Sequence, residues 1–168
     1  LFSDEVARKC ESTPDAQVVV FENGEGFADE IVTYKDLFLN GCRMAKALKD
    51  AGIGRGDRFS LVMRNHPEFI YTLVAASLTG SVVVPIDPRS KGSKLTYQVR
   101  DSNSKGIIFT NEFYPDVQKT LDELPDVKVV GISYKEGFEK PYRSEYPSLN
   151  AIIEGPEVDP PDDRNREL

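Results

Sequence analysis

The chain has 168 residues, of which 39% are hydrophobic and 29% are charged, and its formal net charge is −7. This balance is typical of a folded globular domain rather than a disordered chain. The excess of acid argues against nucleic-acid binding, because no basic face would neutralise the phosphates. No apolar run approaches the roughly 20 residues that a membrane-spanning helix needs, and we expect no signal peptide ahead of the fold.

The cysteines indicate a reducing compartment. Cys10 and Cys42 are the only two, and the chain has one histidine, so a zinc site is not predicted. Free thiols in a reducing cytoplasm are favoured over a disulfide. The chain begins with Leu1 rather than methionine, which is compatible with local numbering or with a piece of a longer protein.

The first third of the chain predicts a helix, a β-hairpin and a second helix. The first predicted elements are a helix over 1–12 and hairpin strands over 17–22 and 30–34. Thr33 is the expected N-cap of the second helix, and Asp36 places an acid in its first turn. Gly52 has the position of a glycine that ends this helix.

From residue 58 onward, strands and helices alternate. The predicted strands are 58–64, 82–86, 106–110 and 127–132, and the helices between them are 68–79, 94–102 and 112–124. Such alternation predicts an α/β fold, with a mostly parallel sheet flanked by helices after the N-terminal β-hairpin. Strand 58–64 is expected to be central, strand 82–86 is expected to be buried, and Ser93 is expected to cap the following helix.

The end of the chain has weaker patterns. Residues 134–147 predict an irregular surface loop, and 148–154 predict a short helix. We expect an α/β portion over 1–155 and an acidic, proline-rich linker over 156–168. A chain that ends in a linker is expected to continue into a further part. Asp162 and its neighbour Asp163 are interpreted as solvated linker rather than metal ligands.

Two features invite a functional interpretation and have a simpler one. The glycine-rich loop 52–57 follows a helix and precedes a strand, whereas a phosphate loop needs the opposite order, so a structural turn is predicted. His66 has the residue type of a general base, but it stands in a helix-capping sequence without a nearby nucleophile, so a capping or surface role is predicted. The sequence contains no Ser-His-acid set, Walker-type loop, dinucleotide fingerprint or metal-ligand cluster.

Arg89 is the candidate binding residue. It follows the predicted strand 82–86, and the ligands of open parallel sheets gather at the carboxyl ends of the strands. Lys91 and Lys94 come shortly after it, so this loop has the charge to hold an anion. A solvated, non-binding face is the alternative.

Four segments, in order, resemble motifs of the adenylate-forming superfamily. Thr33–Leu37 (TYKDL) is similar to T-Y-x-E-L, and residues 47–58 are similar to A-L-x-x-x-G-[IV]-x-x-G-D-x-V. Arg64–Phe69 (RNHPEF) is similar to P-N-x-x-E-[FW], and Leu78–Arg89 (LTGSVVVPIDPR) is similar to K-x-G-[AG]-[AV]-x-V-P-[LI]-[ND]-P-R. The resemblance extends over residues 14–132.

The resemblance implies a two-step ligase reaction for a parent protein. A carboxylic acid would react with Mg-ATP to give an acyl-adenylate and pyrophosphate, and the thiol of CoA would then displace AMP. The Pro-Ile-Asp-Pro-Arg variant favours an acyl-CoA synthetase, in fatty acid metabolism, over a peptide-synthetase domain. By the same resemblance, Arg89 lies near the nucleotide phosphates of CoA, and no catalytic residue is carried over.

The family's phosphate loop, adenine segment, magnesium-binding acid, ribose-binding aspartate and C-terminal lysine have no counterpart in this chain. The resemblance therefore implies the first part of a large N-terminal domain, inactive and without bound cofactor when alone. Its expected partner is the remainder of its own chain. The alternative is a non-catalytic α/β interaction domain, and both a monomer and an oligomer stay open, because a shortened domain exposes apolar surface.

Overall fold

The computed structural model describes residues 1–23, 26–135 and 145–161. The elements in chain order are α1 (Phe2–Ser12), β1 (Gln17–Phe21), β2 (Glu30–Thr33), α2 (Tyr34–Asp50), β3 (Arg58–Val62), α3 (Pro67–Thr79), β4 (Val82–Pro85), α4 (Gly92–Asp101), β5 (Ser104–Thr110), a 3-10 turn (Asn111–Phe113), α5 (Tyr114–Glu123), β6 (Lys128–Ser133) and α6 (Leu149–Ile153). This order confirms the α/β class predicted from the alternating pattern.

The main sheet has four parallel strands in the order β4-β3-β5-β6, and β1 and β2 form a separate antiparallel hairpin. The chain travels from β3 to its neighbour β4, then crosses back over β3 to reach β5, and continues to β6. The direction of winding therefore reverses between β3 and β5. Such a reversal creates a crevice at the carboxyl ends of the strands, where ligands of this architecture bind.

Each face of the sheet has its own apolar core. One core joins α1, α2, α3 and α6 to the sheet, with Met44, Leu48, Val74 and Leu78 fully buried. The other core joins α4 and α5 to the opposite face, and its members include Leu95, Val99, Phe109 and Val117. The reversal of winding explains this division, because crossovers of one hand that run in opposite directions cover opposite faces.

The ends of α2 follow the predicted capping pattern. The Thr33 hydroxyl accepts a hydrogen bond from Asp36 N–H at 3.2 Å, and the Asp36 carboxylate accepts one from Thr33 N–H at 3.0 Å. At the other end Gly52 has φ +78°, and the Ile53 N–H reaches back to the Leu48 carbonyl at 2.9 Å. This left-handed glycine lets the chain leave the helix and turn into β3.

Three sequence predictions differ from the structure. The strand predicted to be buried at 82–86 is the edge strand β4, with Val82 45% exposed, because β-branched residues favour a strand without specifying its place in the sheet. Ser93 is not a cap, since α4 begins at Gly92 after the N-cap Lys91. The helix predicted from residue 112 begins at Tyr114, because a 3-10 turn precedes it.

Several other predictions agree with the structure, whereas the structure does not test the predicted boundary between 1–155 and the linker 156–168. Strand β3 is central, and Cys10 and Cys42 do not form a disulfide. The short helix α6 begins after Ser148, whose hydroxyl accepts the Ala151 N–H. Much of the predicted loop over 134–147, and the pair Asp162 and Asp163, lie outside the described residues. Among the helices of the described ranges, none has the length and apolarity needed to cross a membrane.

Candidate functional site

The exits of the four parallel strands lie along one edge of the sheet, and polar side chains collect there. They are Arg64 and His66 after β3, Asp87 and Arg89 after β4, Asn111 and Glu112 after β5, and Tyr134 and Lys135 after β6. A crevice at this edge is the expected binding region of a parallel sheet whose winding reverses. The sequence singled out Arg89 and His66 from this set.

Arg89 extends into solvent from the corner after β4, and its side chain is 88% exposed. Its guanidinium donates to both carboxylate oxygens of Asp87, with Nη2 2.8 Å from Oδ2 and Nε 3.1 Å from Oδ1. This pairing lowers the pKa of Asp87 to about 2, since Arg89 stabilises the ionised carboxylate. Lys91 and Lys94 are exposed nearby, at the start of α4. The predicted anion-binding loop is therefore accessible, and Asp87 occupies the fork of its arginine.

His66 is at the N-cap position of α3, but its side chain does not cap the helix. The backbone is extended there (φ −117°, ψ 157°), and Phe69 N–H donates to the His66 carbonyl at 2.9 Å. The imidazole is half-buried instead, with its ring centroid 5.3 Å from that of Phe21. Burial, followed by the charge of Lys135, lowers its pKa, so the ring is neutral at pH 7. The predicted capping role is correct for the backbone position and wrong for the side chain.

A buried ion pair lies beside His66 and was not predicted. Lys135 Nζ is 2.7 Å from Glu68 Oε1, and the side chains are 14% and 6% exposed. Ser133 donates a further hydrogen bond to the same oxygen at 3.3 Å. The pair joins the start of α3 to the exit of β6. From the sequence, Glu68 is placed only at the start of the predicted helix 68–79, since nothing local links it to a lysine so far along the chain.

A second charge contact joins the exits of β3 and β5. The Arg64 Nε donates to Glu112 Oε1 at 3.1 Å, and the Arg64 guanidinium carbon lies 5.9 Å from the centroid of the Phe113 ring. The backbone N–H of Lys135 also donates to the Asn111 amide oxygen at 3.3 Å. These contacts connect three of the four strand exits, whereas the Asp87–Arg89 contact stays within its own loop.

Two adjacent cavities open along this edge. One, of about 580 Å³, lies between the exits of β3 and β4 and is lined partly by Phe69 and Asp87. The other, of about 600 Å³, lies between the hairpin and the exit of β6 and is lined partly by Glu68 and Lys135. Phe21 and His66 contribute to both, so His66 stands where the two cavities meet.

The glycine-rich loop is a structural turn, as predicted. Gly54 N–H donates to the Asp57 carboxylate at 3.1 Å, and Gly56 N–H donates to the Gly80 carbonyl at 2.9 Å. These bonds hold the loop against the start of β4, at the amino edge of the sheet. Within the described ranges, no group of three or more histidine, cysteine or acidic side chains has the arrangement of a metal site. The exposed guanidinium of Arg89 is, by contrast, a group with the chemistry of an anion contact.

Comparison with known proteins assigns the family. A family model described as "AMP-binding enzyme" matches residues 6–165. A 4-coumarate–CoA ligase of Vanilla planifolia is 33% identical over 107 residues, which cover 64% of this chain and 19% of that protein. An acetyl-coenzyme A synthetase of Methylorubrum populi is 27% identical over 107 residues, covering 64% of this chain and 16% of that protein.

Solved structures share the fold. A benzoate CoA ligase from Burkholderia xenovorans LB400 superposes with a TM-score of 0.77 at 17% sequence identity, covering 99% of this chain and 30% of that one. The chain thus spans less than a third of that structure, and about a fifth or less of the curated relatives named above. Because the family model covers nearly all 168 residues, the chain belongs to the AMP-binding enzyme family.

Proposed function

We propose that this chain is the first part of the large N-terminal domain of an ATP-dependent acyl-CoA synthetase. The observation that carries the proposal is the AMP-binding match over residues 6–165. Relatives whose names are those of CoA ligases support the acid–thiol ligase class. In this proposal residues 1–155 form the α/β portion, and 156–168 lead to the remainder of the parent protein, which is the partner of this portion.

The parent would join a small carboxylic acid to CoA, with conversion of ATP to AMP and pyrophosphate. ATP with Mg²⁺ would supply the activated phosphate, and CoA would supply the thiol. We assign magnesium and ATP binding to the rest of the parent, because the family's phosphate loop and magnesium-binding acid have no counterpart in this sequence. A cytoplasmic location is consistent with two cysteines that form no disulfide. A role in fatty acid metabolism is the part of the proposal that rests on the Pro-Ile-Asp-Pro-Arg resemblance alone.

Arg89 is the residue that we assign to CoA, as a contact of its nucleotide phosphates. The guanidinium is exposed at a strand exit, and its planar fork suits the bidentate geometry of phosphate. Asp87 already occupies this fork, so a phosphate has to replace or share that contact. Lys91 and Lys94 add positive charge close to the same corner.

Replacement of Arg89 in the parent enzyme tests this assignment. We expect Arg89→Ala to raise the KM for CoA by roughly tenfold, since one charge-assisted contact is lost, while carboxylate-dependent ATP–pyrophosphate exchange is unchanged. Asp87→Asn serves as the matched variant, because it frees the guanidinium, and it is expected to lower that KM. An unchanged KM for CoA in Arg89→Ala would remove the role.

The second candidate is a non-catalytic interaction domain. It is favoured by apolar side chains exposed on the hairpin, where Val20 and Ile31 face each other across the strands and are 54% and 55% exposed. The coding sequence beyond Leu168 separates the candidates. A glycine- and threonine-rich segment ending in Pro-Lys-Gly supports the synthetase, whereas an immediate stop codon supports the interaction domain.

A further inference from the structure

The cavity of about 600 Å³ between the hairpin and the exit of β6 is strongly acidic, and we call it the acidic cavity. Its wall includes four carboxylates, contributed by Glu22, Glu30, Glu68 and Glu154. Lys135 is the one lysine or arginine among the described residues that line it. With a neutral His66, the described lining residues carry four negative charges and one positive charge, an excess of three negative charges around one concave space. A concave surface of one sign concentrates counter-ions of the opposite sign.

The wall also holds a buried acceptor without a donor. The Glu68 side chain is 6% exposed, and its Oε1 accepts from Lys135 and Ser133. Its second oxygen, Oε2, is buried and accepts no hydrogen bond from any residue that the structure describes. A buried carboxylate oxygen left without a donor costs free energy, so the site favours a ligand that brings a donor. This requirement is independent of the overall charge of the cavity.

His66, which also lines the cavity, has buried polar atoms without hydrogen-bond partners as well. Both ring nitrogens are buried, and neither has a hydrogen-bond partner within the described ranges. Because burial lowers the pKa of His66 and the ring is neutral, one of these nitrogens is an acceptor. The acidic cavity therefore combines a carboxylate oxygen and an imidazole nitrogen that both lack a donor.

Aromatic rings complete the lining. Phe21 packs near the imidazole of His66. Phe27, which is 50% exposed, and Tyr134 also line the cavity. Aromatic faces attract organic cations, which they contact through the ring quadrupole. A hydrated metal ion gains little from such rings, and the described residues include no group with metal-site arrangement.

We propose that the acidic cavity binds a small organic cation, an alkylguanidinium or alkylammonium group, whose N–H donors satisfy Glu68 Oε2 and the acceptor nitrogen of His66. Because these atoms have almost no accessible surface, the two side chains have to rotate toward the cavity when the cation binds. A guanidinium suits the site best, because its planar donors satisfy both acceptors while its faces contact the aromatic rings. The cation is a molecule of its own or an arginine side chain of another polypeptide. The site is separate from the Arg89 corner, which carries the opposite charge, and its existence does not depend on the synthetase assignment.

The single histidine makes a direct measurement possible. The ring ¹⁵N resonances of His66 in the 168-residue chain report on the cavity wall without ambiguity, since no other histidine is present. Titration with n-butylguanidinium is expected to shift these resonances in a saturable way, whereas n-butylurea, which has similar shape and no charge, leaves them unchanged. Absence of a saturable shift with n-butylguanidinium, or an equal shift with n-butylurea, would overturn the proposal.

Replacement of single carboxylates tests whether they contribute to the binding that the His66 resonances report. Glu68→Gln keeps the shape of the side chain and is expected to weaken binding roughly tenfold through loss of a charged acceptor. If Glu68→Gln does not fold, Glu30→Gln takes its place, because the Glu30 side chain is 43% exposed and its replacement leaves the core unchanged. Glu30→Gln is expected to weaken binding at least twofold. The matched control is Glu157→Gln, an exposed acid outside the cavity lining. Equal affinity in Glu30→Gln and in the control would contradict the assignment.

A peptide arm identifies the source of the cation. A blocked Gly-Gly-Arg-Gly-Gly peptide is titrated beside n-butylguanidinium, with the citrulline peptide as its neutral counterpart. Tighter binding of the arginine peptide assigns the site to a polypeptide side chain, and tighter binding of the free cation assigns it to a small molecule. Both results support a cation site, whereas saturable binding of the citrulline peptide with the same affinity as the arginine peptide would speak against it.

Discussion

At the scale of residues, the contact between Asp87 and Arg89 matters most for the proposed function, because it determines which donors of the guanidinium are available to a phosphate. Both side chains belong to one short loop, and the arginine donates to both carboxylate oxygens. The Asp87 carboxylate orients the guanidinium, and an incoming phosphate has to compete with it for the same donors. Arg89 in this state is a positioned cation whose partner is exchangeable, as expected for an exposed ion pair.

The pKa of Asp87 tests that geometry without CoA. It is lowered to about 2, chiefly by the side-chain hydrogen bond from Arg89 and then by that from the Arg89 N–H. In Arg89→Ala the side-chain donor is lost, so the pKa of Asp87 is expected to rise toward its ordinary value of 3.8. Carboxyl ¹³C chemical shifts followed from pH 1.5 to pH 6 measure it. The same low pKa in both proteins would show that the guanidinium does not bind Asp87.

Close contact of two helices depends on Gly41. A Cβ built there would lie 2.8 Å from the Val74 Cβ, and a β-branched side chain within a helix has little freedom to move away. We expect Gly41→Ala to lower the free energy of unfolding by about 1–3 kcal/mol, since overpacking exceeds the gain in helix propensity.

The control for this prediction is Gly54→Ala. Gly54 has no positive φ, and its added Cβ would meet nothing within 4 Å, so this change is expected to alter stability by less than about 1 kcal/mol. Urea denaturation of both variants measures the difference. Equal stabilities of Gly41→Ala and Gly54→Ala would show that α2 and α3 are less closely packed than described.

At the scale of elements, the helix caps separate residues that determine a boundary from residues that only occur near one. Thr33 and Asp36 exchange three hydrogen bonds at the start of α2. Thr33→Ala is expected to cost about 1 kcal/mol of unfolding free energy. Ser93, which sequence analysis predicted as a cap, lies inside α4, so Ser93→Ala is the comparison variant with little expected effect. Thermal denaturation distinguishes them, and equal losses would contradict this account of the caps.

Predictability also varies between elements for physical reasons. Thr33 and Gly52 act on bonds within a few residues of themselves, so their roles were evident from local sequence. The edge position of β4 was not, because Val82 would suit a central strand equally well. Edge or centre depends on which strands lie on either side, and that depends on crossovers that no local pattern describes.

The candidate site also contains residues that could be predicted from the sequence and residues that could not. Arg89 was predicted because one general rule places ligands at strand exits. The Glu68–Lys135 pair was missed, since its partners are separated by most of the α/β alternation and meet only when β6 is in place. His66 was placed correctly at the start of α3, but its half-buried ring followed from packing against the hairpin, which is a tertiary contact.

At the scale of the whole molecule, the parallel sheet and its two cores form the α/β fold of a chain that belongs to the AMP-binding enzyme family. Arg89 and the acidic cavity lie on the same edge of the sheet, at the exits of different strands. In the function proposed above, adenylation belongs to the longer parent, and Arg89 of this chain contacts CoA.

Carboxylate-dependent ATP–pyrophosphate exchange tests that assignment most directly, with the parent protein and the 168-residue chain assayed side by side over a panel of aryl and fatty acids. The synthetase account predicts exchange by the parent with at least one acid, CoA-dependent thioester formation with the same acid, and no exchange by the 168-residue chain. Exchange by the shorter chain, or none by the parent with any acid of the panel, would contradict it.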